Sequence, residues 1–218
     1  MARLNGSQPQ GVSVVGPRRI GKSSLLHYLY QPRADEVLRP RNNLHVFYLD
    51  AQQGECHTPD EFCTALVKLM LAQATIDRRT THGRRLAELQ SDLATHNQCD
   101  WGMAREVINL VAFHPVICLD EFETLLKGGF ENRFFDGLRS WANEGLVTWI
   151  TASAQPLSQL AHEHNLTSPF FNLLATIPLG ELTEVEGDKL LQRDLVEEVD
   201  GGIRFEVELV RRWWASQL

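Results

Sequence analysis

The sequence predicts an α/β fold, a mostly parallel sheet covered by helices on both faces. Three observations predict it. Short apolar runs suited to buried strands recur at residues 12–15, 44–49, 115–119 and 146–150. Stretches with apolar residues at helical spacing lie between them, notably 59–72 and 130–142. The alternation of the two is the pattern of parallel strands joined by crossover helices. A chain of 218 residues fits one such domain, or one with a small appendage.

Each element has a local reason. Residues 1–10 are polar and read as a mobile lead-in. Val12, Val14 and Val15 make a β-branched strand, residues 16–21 a loop, and residues 22–30 a helix with Leu25, Leu26, Leu29 and Tyr30 on one face, ended by Pro32. The second strand, 44–49, is closed by Asp50. Thr58 is placed to cap an amphipathic helix over 59–72. Residues 74–100 are polar and basic, with weak helical spacing at Leu86, Leu89 and Leu93, and a helix over 103–113 follows. The third strand, 115–119, runs into Asp120 and Glu121. Phe134, Phe135, Leu138 and Trp141 form the apolar side of the helix over 130–142, and 146–150 is the fourth strand. A fifth, 176–179, contains Pro178, which suits an edge. Beyond Leu182 the character changes. Thr183 and Glu186 form a capping box for a helix to about Arg193. Two strands at 195–199 and 203–207 then flank Asp200, Gly201 and Gly202, and a last helix carries Trp213 and Trp214. The expected organisation is a lead-in over 1–10, a core over 11–182 and a short α+β element over 183–218.

Composition narrows the partners. With 28 acidic and 21 basic side chains the net charge is -7, so the surface as a whole does not attract a phosphate backbone, and nucleic acid is not expected as a partner. The basic spots at Arg78, Arg79, Arg84 and Arg85, and at Arg211 and Arg212, read as solvated helix faces. Cys56, Cys63, Cys99 and Cys118 match neither zinc nor disulfide spacing, which points to a reducing compartment. The sequence has no apolar run near the length of a membrane span and no signal-peptide pattern, so a cytoplasmic location without membrane contact is expected. The eight histidines show no metal spacing; the closest pair, His162 and His164, would not share a helix face.

The chemistry concentrates at two places. Gly16, Pro17, Arg18, Arg19, Ile20, Gly21, Lys22 and Ser23 match G-x-x-x-x-G-K-[ST], after an apolar strand and at the start of a helix. Glycines allow the backbone angles and close approaches the loop needs, its N–H groups and the helix N-terminus favour phosphate, Lys22 reaches the β- and γ-phosphates, and the Ser23 hydroxyl ligates Mg²⁺. Residues 16–23 with Ser24 are the expected nucleotide-binding set. The second place is Asp120 and Glu121, at the end of a buried strand and therefore at the sheet edge where the loop also lies. Asp120 suits Mg²⁺, and Glu121 suits the activation or orientation of a water. Thr151 and Ser153, after the fourth strand, are either contacts to the γ-phosphate or attacking water, or turn and cap hydroxyls. Arg18, Arg19, Arg133 and Arg139 are candidate phosphate contacts, in cis or from a neighbouring subunit.

On these residues the chain resembles the AAA+/STAND group of P-loop ATPases, and is most similar to its prokaryotic branch with a GPRRIGKSSLL loop (here residues 16–26) and an LDEFE motif (119–123). The blocks YLDAQ (48–52), ITAS (150–153), SPFFN (168–172) and LGELTEVE (179–186) are similar too, and the resemblance covers about residues 10–190. It implies a P-loop three-layer sandwich with five strands in the order 5-1-4-3-2, ATP or ADP with Mg²⁺ as cofactors, Asp120 as the Walker B aspartate, Glu121 as the catalytic glutamate, and a sensor at Thr151 or Ser153. Members often act as nucleotide-driven switches and many oligomerise, so a second copy of the chain or a partner protein is the expected macromolecular partner. The family's helical lid and winged helix are represented here only by a short winged-helix-like remnant over 183–218, and no lid arginine is assigned. Three functions follow: an ATPase switch, a nucleotide-binding module with little turnover, and a nucleic-acid-associated motor or loader subunit.

Overall fold

The computed structural model describes residues 11–30, 43–52 and 56–180, together with the backbone of 196–199 and 202–205. In chain order the core elements are β1 (Val12–Val15), α1 (Lys22–Tyr30), β2 (Leu44–Asp50), α2 (Pro59–Gln73), α3 (Thr81–His96), α4 (Trp101–Leu110), β3 (His114–Asp120), α5 (Glu123–Lys127), α6 (Asn132–Asn143), β4 (Thr148–Ser153), α7 (Leu157–Glu163), a 3₁₀ turn (Pro169–Asn172) and β5 (Ala175–Pro178). The five strands pair in parallel in the order β2-β3-β4-β1-β5, the order implied by the resemblance. A separate antiparallel pair joins β6 (Val196–Val199) to β7 (Gly202–Phe205), with Val199 opposite Gly202, at the hairpin the sequence predicts. Pro32, Thr183, Glu186, Arg193, Arg211, Arg212, Trp213 and Trp214, to which the sequence assigns a helix end, a capping box, basic spots and a last helix, lie outside the described residues.

Alternation along each strand divides the core between the two faces of the sheet. Val12, Val116, Cys118, Ile150 and Ala152 pack with Leu26 and Leu29 of α1 on one face. Phe47, Leu49, Ile117, Leu119 and Trp149 face a larger cluster drawn from α2 to α7. α1 is thus alone among the described helices in the smaller cluster, and its N-terminus meets the sheet edge where β1, β3 and β4 end.

Several boundaries differ from expectation for local reasons. α4 starts at Trp101 because the Asp100 carboxylate accepts from the Met103 amide at 2.8 Å, a cap the apolar spacing does not reveal. β4 starts at Thr148 because the Leu146 and Val147 amides turn back to the Trp141 carbonyl, at 2.9 and 3.3 Å. On α1, Leu26 and Leu29 are buried as predicted, Leu25 is half-buried, and Tyr30 departs from the predicted face at 44% exposed while Tyr28 is buried. Thr58 caps α2 with a full capping box, and Leu86, Leu89 and Leu93 are the buried leucines of α3, as their spacing predicts. α5, α7 and the 3₁₀ turn are too short for periodicity to reveal.

Candidate nucleotide site

Two segments meet at the sheet edge. The first joins β1 to α1. Its opening residue is held by the Gly16 amide, which donates to the Ser153 carbonyl of β4 at 3.2 Å. On the other side the Leu179 amide, just past β5, donates to Val15 O at 2.6 Å. That closure fixes the residue type. A Cβ on Gly16 would stand 2.3 Å from the Leu179 carbonyl oxygen. Further along, Arg19 (φ 66°) and Gly21 (φ 101°) adopt left-handed backbone. Such alternation turns successive N–H groups toward a common concavity. A turn spans Arg18 and Arg19, and among the described residues the Arg18, Arg19, Gly21, Lys22, Ser23 and Ser24 amides have no protein acceptor. The Lys22 ammonium, 8% exposed, lies back over the loop and donates to the Gly16 and Pro17 carbonyls at 2.9 and 3.0 Å. Arg18, Arg19, Ser23 and Ser24 are exposed, and Ile20 is half-buried.

The second segment ends β3. Asp120 is 2% exposed, and each of its oxygens has a donor: the Tyr48 hydroxyl to Oδ2 at 2.8 Å and the Glu121 amide to Oδ1 at 2.9 Å. Burial first, then that hydrogen bond and the Asp120 charge, hold the Tyr48 phenol above its ordinary value, so it remains a donor. Asp50, at the end of β2, is the register partner of Asp120. Glu121 sits in left-handed backbone at φ 49°, an uncommon conformation for a residue with a Cβ and one that concentrates at functional sites. Its carboxyl is raised above the usual range by burial, then by the Glu123 and Asp120 charges; the positive charges of Lys22 and Arg18 oppose the rise. Phe122 then returns its amide to the Ala152 carbonyl at 3.0 Å.

Ala152 and Ser153 are consecutive residues of β4 whose carbonyls point to opposite edges of the strand, so the two segments flank its end, and Glu121 lies close enough to feel the charges of Lys22 and Arg18. The structure therefore brings the loop and the acidic pair together, although they are about a hundred residues apart in sequence. The other predicted residues are distributed differently. Ser153, the last residue of β4, donates its hydroxyl to the Gln155 carbonyl at 2.7 Å, a turn hydrogen bond. Thr151 lies two residues earlier, fully buried beside Ser13 and Leu119, and its hydroxyl has no hydrogen-bond partner among the described residues. Arg133 is exposed in the first turn of α6, and Arg139 is half-buried further along that helix. Sequence reasoning placed no role on Tyr48 or Glu123, whose Oε1 accepts from the Ala154 amide at 3.2 Å. Tyr48 carried a signal only in hindsight of register: strand alternation puts Tyr48, Asp50 and Asp120 on one face once β2 and β3 are aligned.

A parallel sheet in this order, with a glycine loop opening α1 and a buried aspartate ending β3, defines the P-loop nucleotide-binding class. A family model described as an AAA domain matches residues 5–160, well over half the chain. The chain belongs to the AAA domain family, whose members are P-loop ATPases. No curated protein matches. Similar solved structures include the Aeropyrum pernix ORC1 protein in complex with DNA (TM-score 0.54, 16% identity, 88% of this chain and 45% of that one). Drosophila ORC bound to DNA gives TM-score 0.54 at 16% identity, over 87% and 42% of the chains. The Aeropyrum pernix ORC2 protein, in ADPNP and ADP complexes, gives 0.50 at 15% identity, over 91% and 48%. This chain spans less than half the length of those proteins, and at such identities the likeness is one of fold. Among the described residues no helix is long and apolar enough to cross a membrane.

Proposed function

We propose that the chain binds ATP with Mg²⁺, hydrolyses it, and works as a nucleotide-dependent switch of the STAND type. The observation that carries this reading is the anchoring of Gly16 and Phe122 on the two edges of the end of β4, which leaves the glycine loop and the buried Asp120 at one sheet edge, with Glu121 within reach of the Lys22 and Arg18 charges. The residues fit both groups. Amides of the loop and first helical turn without an acceptor among the described residues, a helix N-terminus and the Lys22 ammonium suit a polyphosphate. Among the described residues no cluster of three or more His, Cys, Asp or Glu could hold a metal alone. Mg²⁺ in a phosphate site does not require such a cluster, since it takes one or two protein oxygens and completes its shell with phosphate and water.

In this reading residues 16–24 hold the phosphates: Gly16 and Gly21 by backbone, Lys22 by charge, and Pro17, Arg18, Arg19, Ile20 and Ser24 as the walls of the loop. Ser23 and Asp120 would hold Mg²⁺, which would neutralise negative charge on the phosphates. Glu121 orients the attacking water and accepts its proton; the raised carboxyl suits a proton acceptor better than an ordinary one. Ser153, at the strand end beside Gly16, is assigned the sensor position in preference to the deeper Thr151. Contacts that differ between ATP and ADP would set the switch, and a second copy of the chain or a partner protein would read it.

The test is turnover and binding in Glu121→Gln. Phosphate release should fall by about 10²-fold or more with ATP affinity retained. Equal turnover would remove Glu121 from the chemistry, whereas ATP binding without turnover in the wild type would favour the binding-module reading.

A second reading is a nucleic-acid-associated subunit, supported by two fold neighbours whose structures are of complexes with DNA. The expectation against nucleic acid rested on net charge over the whole chain, which says nothing of a local patch. DNA binding that weakens steeply with salt supports this reading, and none at low salt removes it.

A further inference from the structure

The two side chains assigned to the metal, Ser23 and Asp120, come from α1 and from the end of β3, so their relative placement needs a third element. Tyr48 of β2 supplies it. Its hydroxyl donates to Asp120 Oδ2 at 2.8 Å, while the Glu121 amide takes Oδ1 at 2.9 Å. One donor on each oxygen fixes the plane of the carboxylate and leaves a further acceptor site on both. The ring of Tyr48 stacks on the imidazole of His27, with centroids 4.0 Å apart and 27° between planes. His27 is four residues after Ser23 in α1, one turn along the same helix face. A continuous path therefore runs from Ser23 through a helical turn, a ring stack and a hydrogen bond to Asp120. Phenylalanine would fill the same space and make the same stack, so packing accounts for the ring and leaves the hydroxyl unexplained.

We propose that Tyr48 is a positioning residue for the metal: its hydroxyl aims the Asp120 carboxylate, and its stack on His27 registers that carboxylate against the helix that carries Ser23. This rests on the reading of Asp120 and Ser23 as metal-holding residues. Outer partners of this kind typically change metal affinity by about 10–100-fold when removed.

The experiment is a Mn²⁺ titration of the full chain with ADP, followed by the electron paramagnetic resonance signal of free Mn²⁺. ADP affinity in EDTA is measured alongside. Tyr48→Phe is expected to weaken Mn²⁺ by about 10–100-fold with ADP affinity in EDTA unchanged. His27→Ala, which removes an exposed ring and keeps the hydroxyl, is expected to weaken Mn²⁺ in the same direction, and carries the test if Tyr48→Phe folds poorly. Asp120→Asn is the control for the underlying reading. Normal Mn²⁺ affinity in Tyr48→Phe, alongside weakened affinity in Asp120→Asn, overturns the proposal alone. Normal affinity in Asp120→Asn overturns the assignment of the metal residue and the proposal with it. Equal losses of Mn²⁺ and of metal-free ADP in Tyr48→Phe would mark a packing role and also overturn it.

Discussion

Replacing Gly16 by alanine tests how the loop is held, and the structure sets its magnitude. The new Cβ would stand 2.3 Å from the Leu179 carbonyl oxygen and 3.1 Å from Ile20 Cγ2. The oxygen belongs to backbone and cannot swing aside. It must move by about 1 Å, and overpacking of this kind costs about 1–3 kcal/mol. Leu179 is also held by its amide on Val15 O at 2.6 Å, so the shift weakens the last hydrogen bond between β1 and β5, at about 1 kcal/mol. The sum is about 2–4 kcal/mol, a fall in Tm on the order of 10 °C for a chain of this size. Gly21→Ala is the comparison. Nothing lies within 4 Å of its Cβ, but φ is +101°, so only left-handed strain of about 1–2 kcal/mol applies. Urea unfolding of both variants ranks the two costs. A Gly16→Ala protein as stable as wild type, or more stable than Gly21→Ala, would refute the argument from close approach.

Three further variants change single residues. Thr151→Val should stabilise the fold by about 1 kcal/mol and leave ATP turnover unchanged, because the buried hydroxyl it removes has no partner among the described residues; Ser153→Ala should instead lower turnover at unchanged nucleotide affinity, and the reverse pattern would move the sensor to Thr151. Burial holds the His114 imidazole below its ordinary 6.5, so the unfolded chain takes up the proton more readily and this stabilisation, complete above that value, is lost as pH falls through the window beneath it. His114→Gln should flatten the dependence of the urea midpoint on pH below the ordinary imidazole value, and an unchanged slope would show that His114 does not set it.

Much of the site was legible because its chemistry is local in sequence. The loop from Gly16 to Ser23 carries its own glycines, lysine and hydroxyl, and Asp120 with Glu121 ends a short apolar run that suits a buried strand and is one. The strands were legible as well, since a parallel sheet buried on both faces leaves continuous apolar runs. What was not legible depends on register and on distant partners. Nothing in the residues around Gly16 announces that Leu179 will press against it. Tyr48 reads as one more aromatic in a strand until β2 is aligned on β3 and its hydroxyl meets Asp120. The turn that delays β4 depends on two amides reaching back to Trp141, and α5 and α7, at five and seven residues, are too short to show a period.

The central claim is that the loop and the acidic pair form one site for a nucleotide and its metal. Calorimetric titration of the full chain with ATP, with and without Mg²⁺, tests it most directly when repeated on Lys22→Ala and Asp120→Asn. The account predicts saturable binding by the wild type, binding abolished in Lys22→Ala, and an Mg²⁺-dependent part of the affinity lost in Asp120→Asn with the Mg²⁺-independent part retained. Wild-type affinity in Lys22→Ala, or an Mg²⁺ effect indifferent to Asp120, would contradict it.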